Sequence, residues 1–177
     1  MVPTSGAGQP AATPSSRTVA GMHLHLVRHG QATSEQDDPE RGLTDEGAAA
    51  VADVARHGVE RLGVRATRVL QSGKARARET AEIWAELLDA KVEQADGLAP
   101  NDDPAVWADR LPGEKDDLML VGHLPHLGRL AALLVSGVDY HRLVVFKAGQ
   151  LVSLERDGSD WVISVAVPPE GPADRSS

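Results

Sequence analysis

The chain of 177 residues contains no cysteine. Disulfides, thiolate metal sites and cysteine nucleophiles are therefore excluded, and a reducing compartment such as the cytoplasm is compatible. Aromatic residues are scarce: three tryptophans, one tyrosine and one phenylalanine do not make a base-stacking platform. The formal net charge of −8 argues against broad nucleic-acid binding, which depends on neutralising many phosphates. No apolar run approaches the roughly 20 residues that span a bilayer. The first residues lack a basic opening and an apolar h-region, so no secretory signal is expected. These absences predict a cytoplasmic protein with no membrane or nucleic-acid partner.

What remains is an ordinary globular composition. "MVPTSGAGQPAATPSSRTVAG" is rich in Pro, Gly, Ser, Thr and Ala, and reads as a flexible leader over 1–21. Residues 168–177 read as a flexible tail, which leaves a single domain over 22–167. Inside it, strand-like runs alternate with helical ones. His23 to Val27 is a buried strand, and Thr44 to about Gly63 a helix with Val51, Val54, Ala55, Gly58 and Leu62 on one face. Thr44 suits its N-cap, with Asp45 and Glu46 in the first turn. "ATRVLQS", "AKVEQA" and "DLMLVGH" read as strands. Helical patterns cover 74–89, "DDPAVWADRL" and "LPHLGRLAALLVS", the last with Leu127, Leu130, Ala131 and Leu134 as its core stripe. "RLVVFKAGQLVSLERDGSDWVISVAV" contains three strand-like runs separated by Ala-Gly and Asp-Gly turns. This order predicts a three-layer α/β/α domain whose mainly parallel sheet has an antiparallel edge.

In open α/β sheets, ligands bind beyond the carboxyl ends of the strands. Two buried strands end there in a histidine beside a glycine, "HLVRHG" and "LMLVGH". A third segment, "QSGKARARETA", puts Lys74, Arg76 and Arg78 at a helix start. Cations are misplaced at that end, which already carries partial positive charge, unless an anion binds there. Phosphate is the natural occupant: arginine presents planar bidentate donors to its oxygens. A neutral imidazole can attack phosphorus, and a second, protonated imidazole can hold a nonbridging oxygen. Other phosphate machinery is absent: in "SGKA", Arg68 and Ala75 stand where a P-loop needs glycine and a hydroxyl residue. No carboxylate cluster accompanies His23 and His25, so neither metal nor cofactor is expected.

"LVRHGQA", "LTDEG", "SGKARARETAE" and "LVGHLPHLGRLAALL" resemble, in order, the four signature blocks of the histidine phosphatase superfamily, whose fold is phosphoglycerate mutase-like. The short length, "RHGxA" and "VGHxPxL" are most similar to the SixA-like branch of protein phosphohistidine phosphatases. The resemblance implies that His29 is a nucleophile that becomes phosphohistidine. It implies that Arg28, Arg76 and His123 hold phosphoryl oxygens, and that the Leu124 amide adds a hydrogen bond. Two departures stand out. Ser72-Gly73 and Glu79 replace a common serine-proline and glutamine, and Glu35 stands where mutases carry asparagine.

Only residues 31–44 separate Gly30 from Asp45, leaving no room there for the mutases' inserted acid. An imidazole leaving group has little need of a strong general acid, so the expected substrate is phosphohistidine on a protein. The alternatives are a small-molecule phosphomonoesterase, with Asp102, Asp103 or an acid from 35–40 as donor, and a non-catalytic phosphate-binding module. Asp102 and Asp103 read first as helix caps, and Lys74 and Arg78 as solvated charges. His126 reads as a water-exposed helix-start residue, and His23, His25, His57 and His141 as structural. The oligomeric state is left open, a monomer being compatible.

Overall fold

The computed structural model describes residues 21–140 and 142–169. The expected leader, but for Gly21, the tail from residue 170 onward, and His141 lie outside the described residues. Strand β1 (His23–Arg28) leads to helix α1 (Asp45–Arg61), then β2 (Arg68–Gln71), α2 (Ala75–Leu88) and β3 (Lys91–Gln94). Helix α3 (Ala105–Arg110) runs into a 3₁₀ turn (Leu111–Gly113), followed by β4 (Leu118–Gly122), α4 (His126–Ser136), β5 (Leu151–Asp157) and β6 (Asp160–Val167). The six strands form one sheet in the order β3-β2-β4-β1-β5-β6. The first four are parallel, and β5 and β6 close the sheet as an antiparallel hairpin.

Strand periodicity creates the three layers. Leu24, Leu26, Leu118 and Leu120 share one core with Trp107 and Leu111 of the α3 region and with Leu127, Leu130 and Ala131 of α4. The alternate residues Val27, Met119 and Val121 share the other with Val51, Val54 and Ala55 of α1 and Ala77, Ala81 and Trp84 of α2. Both cores are almost wholly apolar. At roughly 25 cal/mol per Å² removed from water, they supply the main driving force for this arrangement. Helix α1 starts as its sequence implies, with the Thr44 side chain accepting from the Gly47 amide at 2.9 Å.

Two expectations fail locally. Leu62 is 42% exposed, because α1 ends at Arg61 and the chain reverses at Gly63 (φ 68°), so Val64 takes the buried place. The run Leu143 to Phe146 is not a strand. Strand β5 already occupies the free edge of β1, so only Phe146 of the run is buried, while Val145 is 73% exposed.

Candidate active site

Register brings the two histidines together. In the parallel β1–β4 pair, Arg28 stands opposite Gly122. His29 and His123, each one residue further on, therefore leave adjacent strands at the same sheet edge. The His29 amide donates to the Gly122 carbonyl at 3.0 Å, and the two imidazoles lie 5.0 Å apart at an interplanar angle of 51°. Strand β2 flanks β4 with Gln71 opposite Val121, which delivers Ser72, Gly73 and the start of α2, carrying Arg76, to the same edge.

The His29 ring has one fixed nitrogen and one unassigned. Nδ1 lies 2.7 Å from the Gly30 carbonyl oxygen, which can only accept, so Nδ1 carries the proton. The lone pair is then on Nε2. Burial pushes the imidazole down to about 4, opposed by that hydrogen bond and reinforced by the charges of Arg76, Arg28 and Arg41. At neutral pH the ring is an unprotonated base.

Backbone bonds fix the loop around it. The Gly149 amide donates to the carbonyls of Arg28 and His29 at 3.1 and 3.0 Å. The Gly30 amide donates to Thr80 Oγ1 at 3.0 Å, and that hydroxyl donates to the Arg76 carbonyl at 2.7 Å. Gly30 must be glycine for space: a Cβ would stand 2.7 Å from Val51 Cγ2 and 3.1 Å from the Gly47 carbonyl oxygen.

His123 is buried, with Nε2 2.6 Å from Ser72 Oγ and Nδ1 without a hydrogen-bond partner. Burial first, then the charges of His29, Arg76, Lys74 and His126, lower it to about 3. The His123 ring is therefore uncharged at neutral pH, since its cation would be desolvated beside other positive charge; the expected protonated imidazole belongs to the transition state, with a phosphoryl group bound.

Arg28 donates from Nη1 to the Phe146 carbonyl at 2.9 Å, while its Nε is buried with no partner. Burial lowers the pKa of Arg28 from the ordinary value, and burial with the charge of Arg41 does the same to Arg76. Both guanidinium groups nevertheless stay charged at any working pH. Among the described residues neither Arg28, Arg41, Lys74 nor Arg76 forms an ion pair. In a chain of net charge −8, four cations without an ion-pair partner around two neutral imidazoles concentrate positive charge at this edge of the sheet. Leu124 is half-buried beside them and joined to Pro125 by a cis peptide bond.

Several site residues escaped the sequence reading. Arg41 is one. Ser72, Thr80 and the Phe146 carbonyl are others, visible only once the chain is folded. Glu79 accepts from the Leu43 amide at 2.7 Å, a bond that either a carboxylate or an amide oxygen can make. The departure from glutamine therefore keeps this bond.

His126 is a correction: it is fully buried rather than exposed, with both ring nitrogens unpartnered. It opens α4, and burial lowers its pKa. Asp103 accepts from the Ala105 amide at the start of α3 at 2.9 Å, although the N-cap position itself is Pro104, whereas Asp102 accepts from the Ala99 amide at 2.8 Å and so braces the preceding loop rather than capping the helix. Arg78 is exposed, 4.0 Å from Glu82, and Lys74 is exposed at the N-cap of α2. His25 is buried, with Nδ1 2.7 Å from Ser153 Oγ and Nε2 3.1 Å from the Arg65 carbonyl. His23 pairs with Asp117, and His57 is exposed.

A parallel α/β sheet with a cationic, two-histidine pocket at its carboxyl edge defines a phosphoryl-handling protein. Comparison with known proteins narrows the class. The model of the histidine phosphatase superfamily (branch 1) matches residues 24–101. An uncharacterised protein of Picosynechococcus sp. is 36% identical over 136 residues, covering 72% of this chain and 82% of its own. Among solved structures, the protein histidine phosphatase SixA complexed with tungstate is similar at TM-score 0.72 and 25% identity, over 84% of this chain and 97% of that one. A putative phosphohistidine phosphatase SixA from Agrobacterium tumefaciens matches at TM-score 0.69 and 22% identity, over 85% of this chain and 99% of its own. The chain belongs to the histidine phosphatase superfamily, on its SixA-like side, and has the phosphoglycerate mutase-like fold. That membership, with SixA-like neighbours, supports phosphatase activity.

Proposed function

We propose that residues 22–167 form a single catalytic domain that removes the phosphoryl group from a phosphohistidine on a protein, through a covalent intermediate at His29. The observation that carries this reading is the His29 ring: Nδ1 is committed to the Gly30 carbonyl, leaving the Nε2 lone pair among cations that have no carboxylate partner.

Nε2 attacks phosphorus in line as the bond to the substrate nitrogen breaks, and the departing imidazole takes its proton from water. Arg28, Arg76 and His123 hold the three equatorial oxygens, with the Leu124 amide as a further donor. The dianion raises the proton affinity of His123, so the ring takes up a proton and donates to the phosphoryl oxygen as an imidazolium. Water then attacks phosphorus, the bond to Nε2 breaks, and orthophosphate departs. The scheme needs neither metal nor cofactor. Among the described residues no helix is long and apolar enough to cross a membrane; the proposed site of action is the cytoplasm, on a phosphorylated protein.

The test is a substrate panel run on wild type beside His29→Ala. Wild type is expected to turn over a phosphohistidine peptide faster than sugar phosphates or nucleotides, with His29→Ala inactive. Arg76→Ala should lose about 10²- to 10³-fold in kcat, as for removal of one oxyanion donor. Substantial turnover by His29→Ala would overturn the mechanism. A preference for sugar phosphates or nucleotides would instead assign a small-molecule phosphomonoesterase, and phosphate binding without turnover a binding module.

A further inference from the structure

Between β1 and α1 the chain makes a tight excursion whose bonds converge on one residue. The Thr33 amide donates to the Gly42 carbonyl at 2.9 Å, and Ala32 bridges Leu43. Asp38 Oδ2 accepts from the Gly42 amide at 2.8 Å and from Thr33 Oγ1 at 3.3 Å. Glu79 ties Leu43 to α2. At the end of this staple Arg41 sits at φ 53°, the left-handed region that favours glycine. A glycine there would be unstrained; an arginine is held at a cost of order 1 kcal/mol or more. Strain retained by a well-braced loop points to a use for the side chain.

The side chain is aimed as well as braced. Arg41 Nε donates to the Thr33 carbonyl at 3.1 Å, which fixes one side of the guanidinium. Arg41 lines a groove of about 450 Å³ together with Lys74 and Arg76. Glu35 and Glu40 also border it, both exposed. Among the described residues neither comes within 4 Å of a groove cation. Arg76 is common to the groove and the proposed phosphoryl site, so the two adjoin at that residue.

We infer that Arg41, with Lys74, forms a second anion subsite that selects substrates carrying a carboxylate or phosphate beside the transferred phosphoryl group. This rests on the phosphoryl site proposed above and adds the substrate class: on a protein, a phosphorylated residue with an acidic neighbour. Arg41 acts through charge and fork-shaped donors, features that a lysine reproduces only in part.

The experiment compares the affinities of methyl phosphate, phosphoglycolate and pyrophosphate by calorimetry at low salt. Proteins are wild type, Arg41→Gly, Arg41→Gln and Arg78→Gln, the last removing an equal charge from the far side of α2. Wild type should bind phosphoglycolate or pyrophosphate at least about tenfold more tightly than methyl phosphate, the scale of a charge-assisted hydrogen bond. Preference for the first assigns the subsite to carboxylates, for the second to phosphates.

Arg41→Gly and Arg41→Gln should abolish the preference, weakening the two-anion ligands at least about tenfold more than methyl phosphate, while Arg78→Gln retains it. Arg41→Gly should also keep its thermal stability, since glycine relaxes the backbone. The inference is overturned if wild type shows no preference, if Arg78→Gln loses it equally, or if the Arg41 variants weaken methyl phosphate as much as the two-anion ligands. Failure of methyl phosphate to bind wild type would overturn the phosphoryl site itself, and the subsite with it.

Discussion

Replacing Thr80 by valine tests how the nucleophile loop is held. Thr80 is fully buried in α2, and its hydroxyl makes two bonds: it accepts from the Gly30 amide at 3.0 Å and donates to the Arg76 carbonyl at 2.7 Å. Valine has nearly the same shape, so the packing around Ala77, Ala81 and Val51 is preserved. The Arg76 carbonyl retains its helical partner, and its loss is minor. The Gly30 amide is different, because it becomes a buried donor with nothing to bond. Orphaning such a group costs about 1–3 kcal/mol.

In a domain of this size each kcal/mol moves Tm by about 2–4 °C, so Thr80→Val should melt about 2–12 °C below wild type. The same bond joins the residue after His29 to the helix that carries Arg76. Losing it should also lower kcat/KM for p-nitrophenyl phosphate by about 10- to 100-fold through misplacement of the reacting groups. Thr80→Ser keeps the hydroxyl and should recover most of the activity. Paired thermal melts and steady-state assays read both effects. Thr80→Val with wild-type Tm and kcat/KM would refute the bracing argument. A large loss in Thr80→Ser equal to that in valine would assign the effect to the methyl group instead.

Three further outcomes follow from the geometry. With the His29 imidazole pushed down to about 4, kcat/KM corrected for substrate ionisation should be flat from pH 7 to 5 and fall tenfold per unit below about 4; an acid limb near 6.5 would contradict the burial argument. His25 and His29, lowered to about 4, and His123, lowered to about 3, remain neutral when folded while their unfolded counterparts protonate below 6.5. The unfolded state then binds more protons, so stability present above pH 6.5 is lost as pH falls, at up to about 4 kcal/mol per unit near pH 5 for three groups, measurable by urea titration at stepped pH. Gly47→Ala would place a Cβ 2.2 Å from the Gln31 carbonyl oxygen, and should destabilise by about 1–3 kcal/mol in the same titration while displacing the loop after His29.

Much of this site was readable because it lies where regular structure ends. Strand runs with a period of 2 and helices with a period of 3.6 place His29, His123 and Arg76 at element boundaries, and parallel pairing carries those boundaries to one edge. Arg41 was not readable in that way: its loop has no period, and its aim depends on a positive φ and on Asp38 and Glu79 as staples. Ser72 and Thr80 are short polar residues whose role appears only when β2 and α2 are docked against β1 and β4. His126 misled because its position at a helix start suggests water, whereas the first turn of α4, His126 to Gly128, is buried. The extra strand expected at Leu143 to Phe146 failed because apolar content alone does not provide a free sheet edge. The proton affinity of the free His123 ring was not readable either, because burial and the nearby His29, Arg76, Lys74 and His126 that lower it to about 3 are brought together only by the fold.

The most direct measurement is a rapid alkaline quench of wild type mixed with a phosphohistidine peptide, followed by proteolysis and mass analysis of the phosphorylated fragment. One phosphoryl group, acid-labile and base-stable, should be found on His29 of wild type and be absent from His29→Asn. Phosphate release at the full rate with no adduct, or with the adduct on another residue, would contradict His29 as the nucleophile.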